Sequence, residues 1–341
     1  MHNFSDFHLI IDARCPREFA EDHIPGAVNF PVLNDEEYAE IGTLHRTDKL
    51  AAYKLGVEYA LRNIARHLRD DFKNVTNNQE ILVYCFRGGK RSKLWMDALE
   101  TMSYKPKKFQ GGWKAYRRYV NASLMDVPKH YEYRVLSGAT GCGKTRLLYA
   151  LEKVGAQVLD LEEIAQHRGS VLGTLPGVQQ PSQKLFDTRL LEKLQSFDRT
   201  KPIWLEAESK KIGNVQLPDA LLTAMYGGTT LRVEAAMDQR VILWREDYRH
   251  FEENPSAMVR CLSYLRPLVG GTEFALWENM AEQRQMPELF ERLMTHHYDP
   301  TYARSTLKNY PKIANSPIIN LVDLSPEALM TTALELLNQY A

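Results

Sequence analysis

The chain has 341 residues, 44% of them hydrophobic and 25% charged, with 43 basic side chains against 43 acidic ones. That length predicts two domains, and the composition is that of a soluble globular protein rather than a disordered or fibrous one. No apolar run approaches the roughly 20 residues of a membrane span, and the first residues lack the basic-then-apolar pattern of a signal peptide.

The four cysteines (Cys15, Cys85, Cys142, Cys261) form no Cys-x-x-Cys pair. This argues against a zinc site or a disulfide framework and for a reducing cytoplasm. In chain order, Leu9-Ile10-Ile11-Asp12 reads as a strand and residues 51–71 as a helix, with apolar Leu55, Tyr59, Leu61, Ile64 and Leu68. Glu80-Ile81-Leu82-Val83-Tyr84-Cys85 is a short apolar run ending in a Gly-containing loop, and residues 92–101 are a second helix. Strands alternating with helices predict a parallel α/β sheet. A second series starts near Tyr131, with a strand at Tyr133-Arg134-Val135-Leu136, a Gly-rich turn and a helix over residues 144–153. Further strands are expected at residues 157–161, 202–206, 240–244 and 318–322. Further helices are expected at 183–197, 258–265, 273–286 and 326–340. Residues 121–130 read as a linker, giving domains 1–122 and 123–341, the second with helical insertions and a C-terminal helix.

The zero net charge leaves a nucleic-acid partner open, because binding needs only a local basic patch. Lys105-Pro106-Lys107-Lys108, Lys114 with Arg117-Arg118, and Lys210-Lys211 are such clusters, each more simply read as a solvated face.

Cys85-Phe86-Arg87-Gly88-Gly89-Lys90-Arg91-Ser92 lies between a strand and a helix. Amides at such a turn and the helix N-terminus present partial positive charge. Arg87, Lys90 and Arg91 add full charges, and Gly88 and Gly89 permit the backbone angles that turn N–H groups inward. The setting favours a thiolate on Cys85 and equally an anionic group carried on its sulfur: a persulfide, a selenide or a tetrahedral oxyanion. A buried structural cysteine is the plain alternative. Because Cys85 and Arg91 also make a Cys-x5-Arg spacing, the loop alone leaves phosphatase chemistry open.

Three motifs in order narrow this. Asp12-Ala13-Arg14-Cys15-Pro16-Arg17-Glu18-Phe19, then His23-Ile24-Pro25-Gly26-Ala27-Val28-Asn29, then the Cys85 loop followed by Gly111-Gly112-Trp113, resemble a rhodanese domain over residues 1 to about 120. The resemblance implies that Cys85 carries a chalcogen, that Arg87, Lys90, Arg91 and the loop amides stabilise its charge, and that Asp12, Arg14 and Cys15 are structural.

Gly138-Ala139-Thr140-Gly141-Cys142-Gly143-Lys144-Thr145 is a full G-x-x-x-x-G-K-T phosphate loop between a strand and a helix. Its amides wrap a phosphate, Lys144 neutralises it, and the Thr145 hydroxyl can hold Mg²⁺. Gly138, Gly141 and Gly143 permit the turn, and Cys142 reads as a small filler in the loop. An acidic partner is expected at the end of an apolar strand, and Ile203-Trp204-Leu205-Glu206-Ala207-Glu208 offers Glu206 for that role and Glu208 for a substrate contact. Asp160 is a third candidate.

With Arg168-Gly169-Ser170-Val171-Leu172-Gly173, Gln180-Pro181-Ser182-Gln183 and Glu206-Ala207-Glu208-Ser209-Lys210-Lys211-Ile212-Gly213, nearly the whole chain resembles the bacterial tRNA 2-selenouridine synthase family. The fold this implies is a rhodanese-like parallel α/β domain followed by a P-loop NTPase-like α/β domain. The activity it implies is a transferase replacing the 2-thio sulfur of a wobble uridine by selenium. In that family the sulfur is first S-geranylated from geranyl diphosphate, and selenium from selenophosphate then displaces the S-geranyl group, with Cys85 as carrier. The implied co-substrates are geranyl diphosphate and selenophosphate, with Mg²⁺ at Thr145. The implied partners are a tRNA anticodon loop carrying 2-thiouridine and a selenophosphate supplier. A cytoplasmic monomer with no membrane contact is expected.

Two other readings stay open. One is an ATP-dependent tRNA sulfurtransferase, against which stands the lack of a recognisable adenylation motif. The other is a nucleotide-regulated module with a docking rhodanese-like domain, against which stands the intact Cys85 with its three cations. RNA contacts are sought at residues 245–266 and at His296-His297-Tyr298, stretches rich in Arg, His and Tyr that read equally well as amphipathic helix faces.

Overall fold

The computed structural model describes residues 4–310 and 313–340. The chain forms two compact units, Met1–Ser123 with Pro181–Glu192, and Leu124–Gln180 with Lys193–Ala341. An expected boundary at residue 122 leaves out the return of Pro181–Glu192 to the first unit. The reason is polar: Arg117 donates to Lys184 O at 2.9 Å and to Asp187 Oδ2 at 2.8 Å, and Thr188 Oγ1 donates to Asp22 Oδ1 at 2.7 Å. Residues 121–130, expected as a linker, hold the end of the helix Gly112–Leu124 and a 3-10 turn, Val127–His130. Val120, Leu124 and Val127 are buried there at helix-like spacing.

The first unit is built on four parallel strands in the order β2-β1-β3-β4: β1 Leu9–Asp12, β2 Ala27–Asn29, β3 Ile81–Tyr84 and β4 Lys107–Lys108. All four β3 residues are buried, which is why its sequence is a continuous apolar run rather than an alternating one. The helix Lys49–Asp70 is started by Asp48, whose side chain accepts from the Ala51 amide. Ile64 from that helix, Trp95 and Leu99 from the helix Lys90–Thr101, and Ile11 and Val83 from the sheet share one core. Below it Arg14 and Asp12 form a fully buried ion pair. The Arg14 guanidinium also lies 4.9 Å from the Trp113 ring, and Trp113 Nε1 donates to Asp22.

The second unit carries five parallel strands in the order β11-β10-β5-β7-β6: β5 Tyr133–Ser137, β6 Gln157–Val158, β7 Ile203–Glu206, β10 Thr229–Ala235 and β11 Ile318–Leu321. A two-stranded antiparallel hairpin, β8 Lys211–Ile212 with β9 Val215–Gln216, lies outside that sheet. β5 is central, and the helix Lys144–Lys153 that follows it shares a core with the helix Pro326–Tyr340 through Leu147, Leu151, Leu329 and Ala333.

Residues 240–244 are not the expected strand. They belong to the helix Met237–Asp247, which buries Arg240, Leu243 and Trp244 and leaves Ile242 exposed. The β-branched run concealed a 3.6-residue period. The strand lies earlier, at β10, where Leu231 and Val233 alternate with Arg232 and Glu234. Residues 237–310 form a helical layer with its own core of Trp244, Phe251, Met258, Trp277 and Phe290. No helix among the described residues is long and apolar enough to cross a membrane.

Candidate functional sites

Cys85 follows β3 directly and precedes the helix Lys90–Thr101. Its thiol is almost fully buried, receives the Gly89 amide at 3.1 Å and lies 3.3 Å from Ser92 Oγ. Ser92 Oγ in turn donates to Gly89 O, so the hydroxyl braces the turn that offers its amide to sulfur. Gly88 holds φ +72, a region open to glycine at little cost. Behind the loop, the Trp113 amide donates to Cys85 O at 2.9 Å. A Cβ on Gly112 would lie 2.1 Å from that same oxygen, which explains the Gly-Gly-Trp motif.

The loop opens on a bowl of about 290 Å³ lined by Cys85, Phe86, Arg87, Gly89, Lys90 and Arg91. The three cations differ in commitment. Arg91 is held by the Glu18 carboxylate through both terminal nitrogens. Lys90 Nζ sits 3.4 Å over the Tyr53 ring, and Arg87 is exposed above Phe86. Cys15, fully buried, donates to Glu18, and burial together with that carboxylate pushes its thiol up to about 12. It is therefore a poor nucleophile.

In the second unit the loop of residues 138–145 joins β5 to its helix as the motif requires. Gly141 and Gly143 take φ +75 and +88, and a Cβ on Gly138 would meet Val233 O at 2.3 Å. Cys142 is buried in the core under the loop, and burial raises its pKa. Lys144 Nζ donates to Gly138 O and Ala139 O at 3.0 and 3.2 Å and lies 3.7 Å from Glu206 Oε2. Thr145 Oγ1 donates to Glu206 Oε1 at 2.5 Å. Glu206, at the end of β7, thus meets both polar residues that close the motif. Asp160 accepts from the Glu163 amide, capping the short helix Leu161–Ala165, and from Tyr149.

The loop opens into a cavity of about 920 Å³. Gly141, Gly143, Lys144 and Thr145 form one part of its lining, and Trp244, Tyr248, Tyr298, Tyr302 and Tyr310 bring aromatic side chains to a remainder that also holds charged groups such as Arg168, Glu206 and Glu208. Tyr302 reaches the loop itself: its hydroxyl accepts from the Gly138 amide and pairs with Ser137 Oγ, both at 2.8 Å. Arg240 joins Thr140 O to Asp299.

Of the stretches weighed for RNA, Tyr248, His297 and Tyr298 line this cavity, His296 is exposed, and Arg245 is paired with Glu252. Among the basic clusters, Arg117 is a buried structural cation, while Lys107 and Lys210 are paired with Glu80 and Asp219 at the surface. Sequence reasoning did not single out Glu18, Glu162, His167, Tyr302 or Tyr310. Glu18 lies in the Asp12–Phe19 motif without a role of its own there, and the other four carry no motif, so only the fold brings them to the sites.

Comparison with known proteins agrees with this two-part layout. Residues 2–119 match the rhodanese-like domain, and residues 131–259 match the tRNA 2-selenouridine synthase AAA domain. A tRNA 2-selenouridine synthase of Nitrosomonas europaea is 35% identical over 70% of this chain, which spans 63% of that protein. Those of Marinobacter nauticus and Hydrogenovibrio crunogenus are 32% and 30% identical over 86% and 89% of this chain and 87% and 91% of theirs. The chain belongs to the tRNA 2-selenouridine synthase family.

Proposed function

We propose that the protein is a transferase that converts 2-thiouridine at the wobble position of tRNA to 2-selenouridine in two steps. The sulfur is first alkylated by geranyl diphosphate bound at residues 138–145. Selenium of selenophosphate, held at the Cys85 loop, then attacks C2 and expels the S-geranyl group as geranyl thiol, and water takes the phosphoryl group as phosphate. The observation that carries the first step is the cavity itself, in which a phosphate loop and several aromatic side chains border one space. An amphiphile with an anionic head and an unsaturated apolar tail is complementary to both.

The chemistry is consistent with the residues. A thiocarbonyl sulfur leaves poorly, and alkylation turns it into a thioether-like leaving group. Carbon–oxygen cleavage at the prenyl carbon throws charge onto the diphosphate, which the loop amides and Lys144 are placed to stabilise. Among the described residues no group of three or more His, Cys, Asp or Glu side chains is arranged to hold a metal. The Thr145 hydroxyl would be the protein group that holds Mg²⁺, which would add charge neutralisation at the diphosphate. At the other site the Gly89 amide and the cations of the bowl would hold the selenophosphate anion beside Cys85.

Donor choice tests this reading. Geranyl diphosphate should bind the purified chain and displace inorganic diphosphate, and Lys144→Ala should abolish that binding. Tight ATP binding with turnover, unaffected by geranyl diphosphate, would instead establish a nucleotide-hydrolysing loop.

A further inference from the structure

Alkylating a thiouracil sulfur releases a proton. The ring enters with hydrogen on N3 and a C2–S double bond, and once sulfur carries an alkyl group the neutral ring no longer holds that hydrogen. The step therefore needs a proton acceptor near the ring. Lys144 cannot serve: although burial opposes its charge, Cys142 and Glu206 raise its pKa above the usual lysine value.

Two carboxyl groups of the cavity stand close together, Glu208, expected from the sequence as a substrate contact, and Glu162. Glu208 follows β7 by two residues, and Glu162 lies in the helix Leu161–Ala165. Both line the cavity. They meet over one glycine, since a Cβ on Gly169 would lie 2.8 Å from Glu162 Oε1 and 3.3 Å from Glu208 Oε2. Gly169 has φ +64, so its backbone also disfavours a side chain.

A separate observation points the same way. Nδ1 of His167 and the hydroxyl of Tyr310 have no hydrogen-bond partner, although the two residues are only 7% and 4% exposed. Both residues line the same cavity. Buried polar atoms are nearly always paired in folded proteins, and a pyrimidine ring offers the donors and acceptors they lack.

Three ionised carboxylates beside a phosphate loop would also work against it. Two like charges 6 Å apart repel by about 3 kcal/mol at an effective dielectric of 20. The cluster relieves this by holding protons. Burial, then the Glu206 charge, pushes Glu208 up to about 8. Burial, then the Glu208 charge, pushes Glu162 well above the carboxylate range. The groups acting on Glu208 are Glu206 and Asp160, which raise its pKa, and Lys144 and the Ser209 amide, which lower it. Glu162 and Tyr310 also feel its charge.

Resting on the function proposed above, we propose that Glu208, with Glu162 beside it, is the base that takes the N3 proton as the ring sulfur is alkylated. A sulfur electron pair forms the new S–C bond. The C–O bond to the diphosphate breaks, and its electron pair leaves with the diphosphate. The N3–H pair becomes the C2–N3 double bond, the π pair of the C2–S double bond moves onto sulfur and leaves a C–S single bond, and the proton passes to the Glu208 carboxylate. A base that titrates close to the working pH suits this task.

The test is single-turnover geranylation of a 2-thiouridine anticodon stem-loop RNA, followed against pH with geranyl diphosphate saturating. The wild-type rate should rise with pH and level off above about 8. Glu208→Gln should slow the reaction by on the order of 10²–10⁴ and move the rise to higher pH, where the ring loses its proton unaided. Geranyl diphosphate should bind no more weakly and the protein should melt no lower than wild type, because Gln removes a carboxyl whose charging burial opposes, and Glu208→Asp should restore the wild-type profile in part. A Glu208→Gln enzyme with wild-type rate overturns the assignment, as does a slow one that keeps the wild-type pH profile. Absence of any S-geranyl product from the wild-type protein overturns the underlying reaction instead.

Discussion

Arg91 and Glu18 form a half-buried ion pair that ties the Cys85 loop to the helix Pro16–Glu21. Burial pushes the Glu18 carboxyl up, yet the Arg91 hydrogen bonds and charge prevail and hold it below its usual value. The loop's strongest cation is thus also a brace. A carboxyl with a depressed folded-state pKa adds stability above its unfolded value and loses it as pH falls through the folded one. Glu18→Gln should therefore cost roughly 1.5–3 kcal/mol at neutral pH and flatten the loss of stability on acidification. Denaturant melts of both proteins between neutral and acid pH check this.

Cys85→Ala should stop selenium transfer while leaving S-geranylation at the wild-type rate. The Cys85 thiol is held by the Gly89 amide and Ser92 within its own loop, so removing sulfur leaves the second unit's cavity intact. Nucleoside analysis after each step reads the split. Loss of both activities together would make Cys85 a structural residue.

Lys144→Ala should lower geranylation by on the order of 10²–10³, with selenium transfer to an RNA already carrying S-geranyl-2-thiouridine unchanged. Thr145→Ala should act in the same direction and also release Glu206, whose Oε1 it now holds at 2.5 Å. Initial rates with geranyl diphosphate and a 2-thiouridine RNA measure both.

Gly112→Ala places a methyl group 2.1 Å from Cys85 O at a residue with φ +56. The backbone strain alone is about 1–3 kcal/mol, and the clash adds to it. Gly42→Ala is the control: it lies in the helix Asp35–Thr47 with nothing within 4 Å of the added carbon, and it should be stabilising by roughly 0.5–1 kcal/mol. Thermal melts compare the two.

Much of the architecture was legible because it is written locally. The β3 run, the phosphate loop and the helices after both carry period and turn signals in consecutive residues. The helix at Met237–Asp247 was misread because Val241, Ile242 and Leu243 are strand formers, and only the burial of Arg240, Leu243 and Trp244 shows a helical face. At the sites, Cys85, Lys144 and Glu206 announce themselves by type and place. Glu162 and Tyr310 do not, because only the fold sets them in the wall of the cavity. Likewise Arg91 reads as a free cation in sequence, and its commitment to Glu18, 73 residues away, is a tertiary fact.

The central claim is that alkylation precedes selenium exchange on one RNA. Ordered addition tests it most directly: the purified protein receives 2-thiouridine tRNA, then geranyl diphosphate, then selenophosphate, with nucleoside mass spectrometry after each. The account expects S-geranyl-2-thiouridine to accumulate after the second addition and to convert to 2-selenouridine after the third. Formation of 2-selenouridine from selenophosphate with geranyl diphosphate left out would contradict it.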